Sequence, residues 1–273
     1  MLKVKGGRLC LDETDVDYIR FGSGVETLIM LPGLGDGLHT VRGTAMLMSL
    51  LYRKFGKKYS VYMLSRKNKL PAGYSTNQMA EDVFRCMKEL GIAKAHVMGV
   101  SMGGMIAQHL AAMHPGTVEK LVLVVTCPGL NPRLNSTVRL WMSQARARDH
   151  RALMDSNLRF IYSPEYYKAN KAFTPIVGMI TKPETYERFL IQAEACLSHD
   201  AHAQLPLIKN PTLIIGGEKD KTLGVTGSQQ LHEFISGSEL FIYPNGYHGL
   251  YEEEKDFPKR VLEFLEKQQH INI

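Results

Sequence analysis

The chain has 273 residues, 44% hydrophobic and 22% charged, a balance ordinary for a soluble globular protein. That length can bury one large α/β domain, or a core carrying an insertion. The net charge of +6 is mild and spread along the chain, and without stacking aromatics or a binding motif it excludes a nucleic-acid footprint.

The first patterned stretch, residues 7–24 "GRLCLDETDVDYIRFGSG", alternates apolar and polar residues and predicts an antiparallel hairpin. Next, "ETLIMLPGLGDG" is a continuous apolar run that breaks into a Pro/Gly-rich loop, as expected of a strand covered on both faces. The densest basic runs, Tyr52–Tyr59 and Ser65–Lys69, read as solvated charge at loops and helix ends. "YSVYML" predicts a strand and "STNQMAEDVFRCMKELGI" a helix over Asn77–Leu90, with Ser75 or Thr76 as its cap and Gly91 as its stop. Met79, Val83, Cys86, Met87 and Leu90 share one face of that helix, a core-packing stripe.

"AKAHVMGV" then predicts a strand, "GGMIAQHLAAMHP" a helix and "VEKLVLVV" another buried strand. From 131 to 204 the rhythm changes to helix-like stretches without buried strands. Strand and helix alternation resumes at "NPTLIIGGEKD", continues through "SGSELFIYPNGYHG" and closes with the amphipathic "FPKRVLEFLEKQ". The reading is a doubly wound, mostly parallel α/β core over 1–130 and 205–273, interrupted by a helical insertion over 131–204. The four cysteines are scattered without metal-ligand spacing, and Cys10, Cys86 and Cys127 read as small buried hydrophobes. The N-terminus lacks an apolar signal core and no later segment approaches membrane-spanning length, so a reduced cytoplasm is the expected compartment.

Chemistry concentrates in "GVSMGG", Gly99–Gly104. GxSxG alone is a weak signal, because a serine between glycines is also an ordinary turn. Here a strand precedes it and a helix comes after, so Ser101 sits where a strained turn would present it beside a helix N-terminus. A serine hydroxyl needs a general base, and the base needs a carboxylate to orient it. His248 in "PNGYHG" and Asp220 in "GGEKD" each come after a strand, in the order Ser, Asp, His. Glu218 is the competing acid two residues earlier.

With "PGLGDG", "GVSMGGMIAQ", "LPLIKNPTLIIGGEKD" and "PNGYHG", the sequence resembles the α/β-hydrolase superfamily across the core on both sides of the insertion. The resemblance implies Ser101 as nucleophile, His248 as base, Asp220 as its orienter, and an oxyanion hole from the backbone N–H groups of Met102 and Leu34. It implies no metal or organic cofactor, and a cap formed by the insertion. Many members begin the oxyanion loop with His-Gly, whereas this chain has Pro32-Gly33. Candidate pocket residues are His39, Trp141 and Tyr162. His199 and His202 near the return from the insertion are further candidates. Arg139, Arg146, Arg148, Arg151 and Arg159 would either recognise a substrate carboxylate or face solvent.

The expected reaction is cleavage of a small or medium carboxylic ester or lactone through an acyl-enzyme. Alternatives are another triad hydrolase (enol-lactonase, C–C bond hydrolase, thioesterase or perhydrolase-like) or a low-turnover receptor of the same fold. No nucleic-acid partner, nucleotide site or membrane span is expected, and oligomeric state is not readable.

Overall fold

The computed structural model describes residues 4–267; Met1–Lys3 and 268–273, including Gln268 of the expected last helix, lie outside the described residues. The chain opens with β1 (Lys5–Leu11), β2 (Thr14–Phe21) and β3 (Thr27–Leu31), then α1 (Ala45–Leu51) and α2 (Arg53–Gly56). It alternates through β4 (Ser60–Lys67), α3 (Thr76–Glu89), β5 (Ala95–Val100), α4 (Met102–Met113) and β6 (Val118–Val124). Between β6 and the next strand lie α5 (Pro132–Arg146), α6 (His150–Ile161), α7 (Pro164–Asn170), α8 (Thr174–Ile180) and α9 (Glu187–Leu197). The chain then returns through β7 (Thr212–Gly217), α10 (Thr226–Phe234), β8 (Glu239–Tyr243), α11 (Leu250–Glu253) and α12 (Phe257–Glu266).

The strands form one eight-stranded sheet in the order β1-β2-β4-β3-β5-β6-β7-β8. The β1–β2 hairpin and the β2–β4 pair are antiparallel, and every pair from β4 to β8 is parallel. Strands β4 and β5 are buried along their whole length, which explains why they read as apolar runs rather than alternations. One apolar layer packs α3, α4 and the inserted helices against the sheet; the other packs α12 and Phe55 of α2 against its opposite face.

Local sequence accounts for most boundaries. Ser75 caps α3 in a reciprocal capping box with Gln78, and Gly91 ends it at φ +68°. Two expectations fail for tertiary reasons. Cys10 is exposed, because β1 is an edge strand with one side open to solvent. Arg66 and Lys67 are buried rather than solvated, because they finish a central strand and meet buried carboxylates there. Lys67 reaches Asp82 at 2.8 Å and Asp12 at 2.9 Å, which compensates the desolvation of its ammonium.

A second buried polar cluster joins the return from the inserted helices to the core. Thr76 Oγ1 lies 2.9 Å from His199 Nδ1 and 3.2 Å from His109 Nε2, and His109 Nδ1 is 2.6 Å from Gln204 Oε1. Burial, reinforced by the neighbouring His109, pushes the His199 pKa down to about 3. An unfolded histidine titrates at about 6.5, so between those values the unfolded chain holds a proton that the folded one refuses. The stability from His199 is therefore complete above that unfolded value and is lost as pH falls through the window. We expect Tm to fall more steeply from pH 7 to 5 in the native protein than in His199→Gln. Parallel Tm–pH curves for the two would refute this account.

Candidate active site

The site is built at the C-terminal ends of β3, β5, β7 and β8, where an open parallel sheet leaves its crevice. Ser101 comes directly after β5 and heads α4 with φ 54° and ψ −119°, a backbone conformation that L-residues rarely adopt. The turn needs small neighbours. A Cβ on Gly103 would lie 1.9 Å from the Leu31 carbonyl oxygen, and one on Gly99 would lie 2.3 Å from that of Gly103. Close approach of backbone to backbone therefore explains both glycines.

Asp220 and His248 come from the loops after β7 and β8. His248 Nε2 is 3.0 Å from Ser101 Oγ, and His248 Nδ1 is 2.8 Å from Asp220 Oδ2. Asp220 and His248 are buried, whereas Ser101 keeps partial exposure. The other Asp220 oxygen accepts the backbone N–H groups of Thr222 and Leu223 at 2.7 and 2.9 Å. Burial acts to raise the Asp220 pKa, but His248 and these two donors outweigh it and hold the carboxyl below its usual value. Glu218, the competing acid, is exposed, and its N–H bonds the Tyr243 carbonyl. An imidazole bridging a hydroxyl and a buried carboxylate can take the hydroxyl's proton while its charge is stabilised from the far side.

Facing Ser101 is the loop after β3. A Cβ on Gly33 would stand 3.4 Å from Ser101 Cβ, so Leu34, which opens a short 3-10 turn, is next to the serine. The carbonyl of Ser101 accepts the N–H groups of Gly104 and Met105, leaving the Met102 N–H ahead of the first bonded turn of α4. Leu34 and Met102, the two residues expected to supply oxyanion donors, thus lie at helix starts beside Ser101, where N–H groups lack intrahelical partners.

The loop is held by a charge cluster that sequence reasoning passed over. Buried Asp36 accepts the Arg66 backbone N–H at 3.1 Å, and its Oδ2 lies 2.5 Å from Arg188 Nη2 and 3.7 Å from Arg66 Nη1. Arg66 also donates to the Pro32 carbonyl, and more weakly to that of Gly33 at 3.4 Å. Arg188, from α9, donates to the carbonyls of Asp36, Lys67 and Arg66. Burial alone would raise the Asp36 pKa, but the two guanidiniums overcome it and keep the carboxyl below its ordinary range. The available signal was an acid inside the glycine loop "GLGDG".

A cavity of about 430 Å³ lies between this loop and the inserted helices. His39 and Tyr162 line it with Gly35, Leu38, Met154 and Phe173. Tyr162 also packs on Gly249, the residue after His248, and donates to Glu252 at 2.7 Å. Trp141 does not line the cavity; it is buried in the apolar layer between the inserted helices and the core. The indole is large enough that packing claims it, as it does most aromatics on an amphipathic helix. None of Arg139, Arg146, Arg148, Arg151 and Arg159 lines it either: all are exposed, and Arg146 and Arg159 pair with Glu194 and Asp155. His199 belongs to the buried cluster described above, and His202 is exposed beside Asp200. Among the described residues no three His, Cys, Asp or Glu side chains converge as metal ligands.

The family model of the alpha/beta hydrolase fold matches residues 26–255. The chain belongs to the α/β-hydrolase fold family. Within that family it is similar to a Stutzerimonas stutzeri protein named "Putative carbamate hydrolase RutD", 26% identical over 182 residues, covering 66% of this chain and 68% of that one. Among solved structures it resembles MGS-M2, an alpha/beta hydrolase enzyme from a Medee basin deep-sea metagenome library, with TM-score 0.84, 23% identity, and coverage of 96% and 98%. It also resembles the enol-lactonase from Burkholderia xenovorans LB400, with TM-score 0.81, 21% identity, and coverage of 96% and 100%. The eight-stranded, mostly parallel sheet is that of the α/β-hydrolase fold. The chain is a hydrolase by family, and no helix among its described residues is long and apolar enough to cross a membrane.

Proposed function

We propose that the protein is a serine hydrolase that cleaves a small to medium carboxylic ester through an acyl-enzyme. The observation that carries this reading is the continuous relay Ser101 Oγ–His248–Asp220, with its serine on a left-handed turn at the head of α4. Ser101 attacks the carbonyl carbon as its proton passes to His248 Nε2. The oxyanion is held by the N–H groups of Met102 and Leu34, where one such donor typically contributes ~3 kcal/mol of barrier lowering. His248 then protonates the departing alcohol, and the acyl-enzyme remains. Water gives a proton to the same nitrogen, attacks the acyl carbon, and the acid leaves with Ser101 restored.

In this reading residues 131–204 act as a cap over the cavity. The lining joins apolar and aromatic side chains to five polar ones, His39, Asn157, Asn170, Thr174 and Thr181, which suits a hydrophobic acyl or alcohol group with a few oriented polar contacts. The names of its relatives favour a second substrate class, a carbamate, whose carbonyl the same relay would attack. Nitrogen donation makes that carbonyl less electrophilic, so orientation in the cavity would have to supply more of the rate. A p-nitrophenyl ester chain-length series assayed beside an enol-lactone and an alkyl carbamate separates these classes. We expect the highest kcat/KM on esters with short to medium acyl chains. Preference for the carbamate or lactone by more than about tenfold would overturn the ester assignment, and binding without turnover of any would overturn the enzyme.

A further inference from the structure

Helix α1 is turned the unusual way round. Its seven residues are "AMLMSLL", and the positions facing the protein are Ala45, Met48 and Ser49, with Ser49 buried and donating to the Met46 carbonyl at 2.7 Å. Met46, Leu47, Leu50 and Leu51 lie on the opposite side and are each more than half exposed. At 100° per residue they form one continuous apolar face directed at solvent.

The chain segment that carries that face is cationic, although Glu252 of α11 approaches Tyr52 at its end. Residues 42–58 contain Arg42, Arg53, Lys54, Lys57 and Lys58 and no acidic residue. All five are exposed; Lys58 reaches Glu266 at 3.0 Å, whereas Arg42, Arg53 and Lys57 have no carboxylate partner among the described residues. A second exposed apolar group, Phe173, Ile176 and Met179, lies on and just before α8. The segments that carry the two groups both reach the same cavity. His39, shortly before α1, and Phe173 both line it, and the His39 imidazole is hydrogen-bonded to the Thr181 carbonyl just after α8.

We propose that α1 docks the protein on the surface of a membrane bearing anionic lipids. Apolar side chains between cations are the composition of a helix lying at a headgroup boundary, where acyl chains take the leucines and anionic headgroups meet the Lys and Arg. A second copy of the chain is a poorer occupant, because it would bring the same cations face to face. The docking holds whichever carbonyl Ser101 attacks.

Co-sedimentation with phosphatidylcholine vesicles, with and without phosphatidylglycerol, tests this. The protein should pellet with the anionic vesicles and be released by added salt. Leu47→Glu/Leu50→Glu should lower binding by about tenfold or more while leaving turnover of a soluble ester and the Tm unchanged. Arg53→Gln/Lys57→Gln should lower binding to anionic vesicles selectively. Ser101→Ala should bind as the native protein does, so a failed hydrolase assignment cannot imitate failed docking. The proposal is overturned if the native protein stays in the supernatant, or if Leu47→Glu/Leu50→Glu binds normally. It is equally overturned if light scattering finds a dimer that this double variant dissociates, since α1 would then be a contact between copies.

Discussion

Ser101→Ala is expected to lose labelling by a fluorophosphonate probe and to lower ester turnover by about 10⁴- to 10⁶-fold, and His248→Ala should fall to a similar level. The two losses should resemble each other because the groups act as a unit. Without the base the hydroxyl keeps its proton, and without the hydroxyl the base has nothing to activate. Their double variant should therefore be little worse than either alone. Neither change should weaken the fold. Alanine at 101 keeps the backbone, and the bonds that the Ser101 carbonyl accepts from Gly104, Met105 and Thr126 do not involve its side chain. The residual rate is informative too: with the Met102 and Leu34 N–H groups intact, some acceleration over water should survive. Labelling that persists in Ser101→Ala, or near-normal turnover in His248→Ala with an unchanged Tm, would remove these residues from the proposed mechanism.

Why these three residues could be picked out by eye is a matter of topology. A parallel strand buried on both faces is a short apolar run, and the loop leaving it is forced to the C-terminal edge of the sheet. Ser101 and Asp220 each come shortly after such a run and His248 after the half-buried edge strand β8, so chain order carries positional information, and His248 lies within hydrogen-bond distance of both other side chains. The glycines at 99 and 103 are legible for the same reason, since they record where backbones nearly touch.

Side chains whose surroundings are assembled from distant segments were not legible. Arg66 and Lys67 look like any basic pair at the end of a strand; only the arrival of Asp36, Asp82 and Asp12 from other segments makes them interior. Trp141 has the composition of a pocket residue, yet α5 turns it into the apolar layer. Helix α1 has the converse history. Its apolar letters suggest burial, but they exceed what one side of a seven-residue helix can hide, and the surplus faces out. Periodicity predicts which residues share a face, and does not say what that face meets.

Asp36→Ala should be the most damaging single change outside the relay. The carboxylate is nearly inaccessible and lies between two guanidiniums, of which Arg66 is as deeply buried as it is. Removing one member of such a group leaves positive charges in a low-dielectric setting without compensation, which costs about 3–5 kcal/mol. For a chain of this size that corresponds to a Tm decrease of roughly 5–10 °C. Function should suffer separately from stability. Arg66 is the donor to the Pro32 and Gly33 carbonyls, next to the Leu34 N–H, so a displaced guanidinium shifts the proposed oxyanion donor itself. Asp36→Asn separates the effects: it keeps the shape and an acceptor for the Arg66 N–H, and it removes the charge. In that variant we expect kcat to fall by about tenfold or more at ~25 °C, well below its Tm, with KM changed little. An interaction that matters mainly once the oxyanion has formed should have this signature. Arg188→Lys should recover less than its conserved charge suggests, since one ammonium cannot reproduce bonds to Asp36 and to the Lys67 and Arg66 carbonyls at once. If Asp36→Ala melts within about 2 °C of the native protein, the cluster is not holding the loop. If Asp36→Asn instead raises KM with kcat intact, Asp36 shapes substrate binding and not the oxyanion hole.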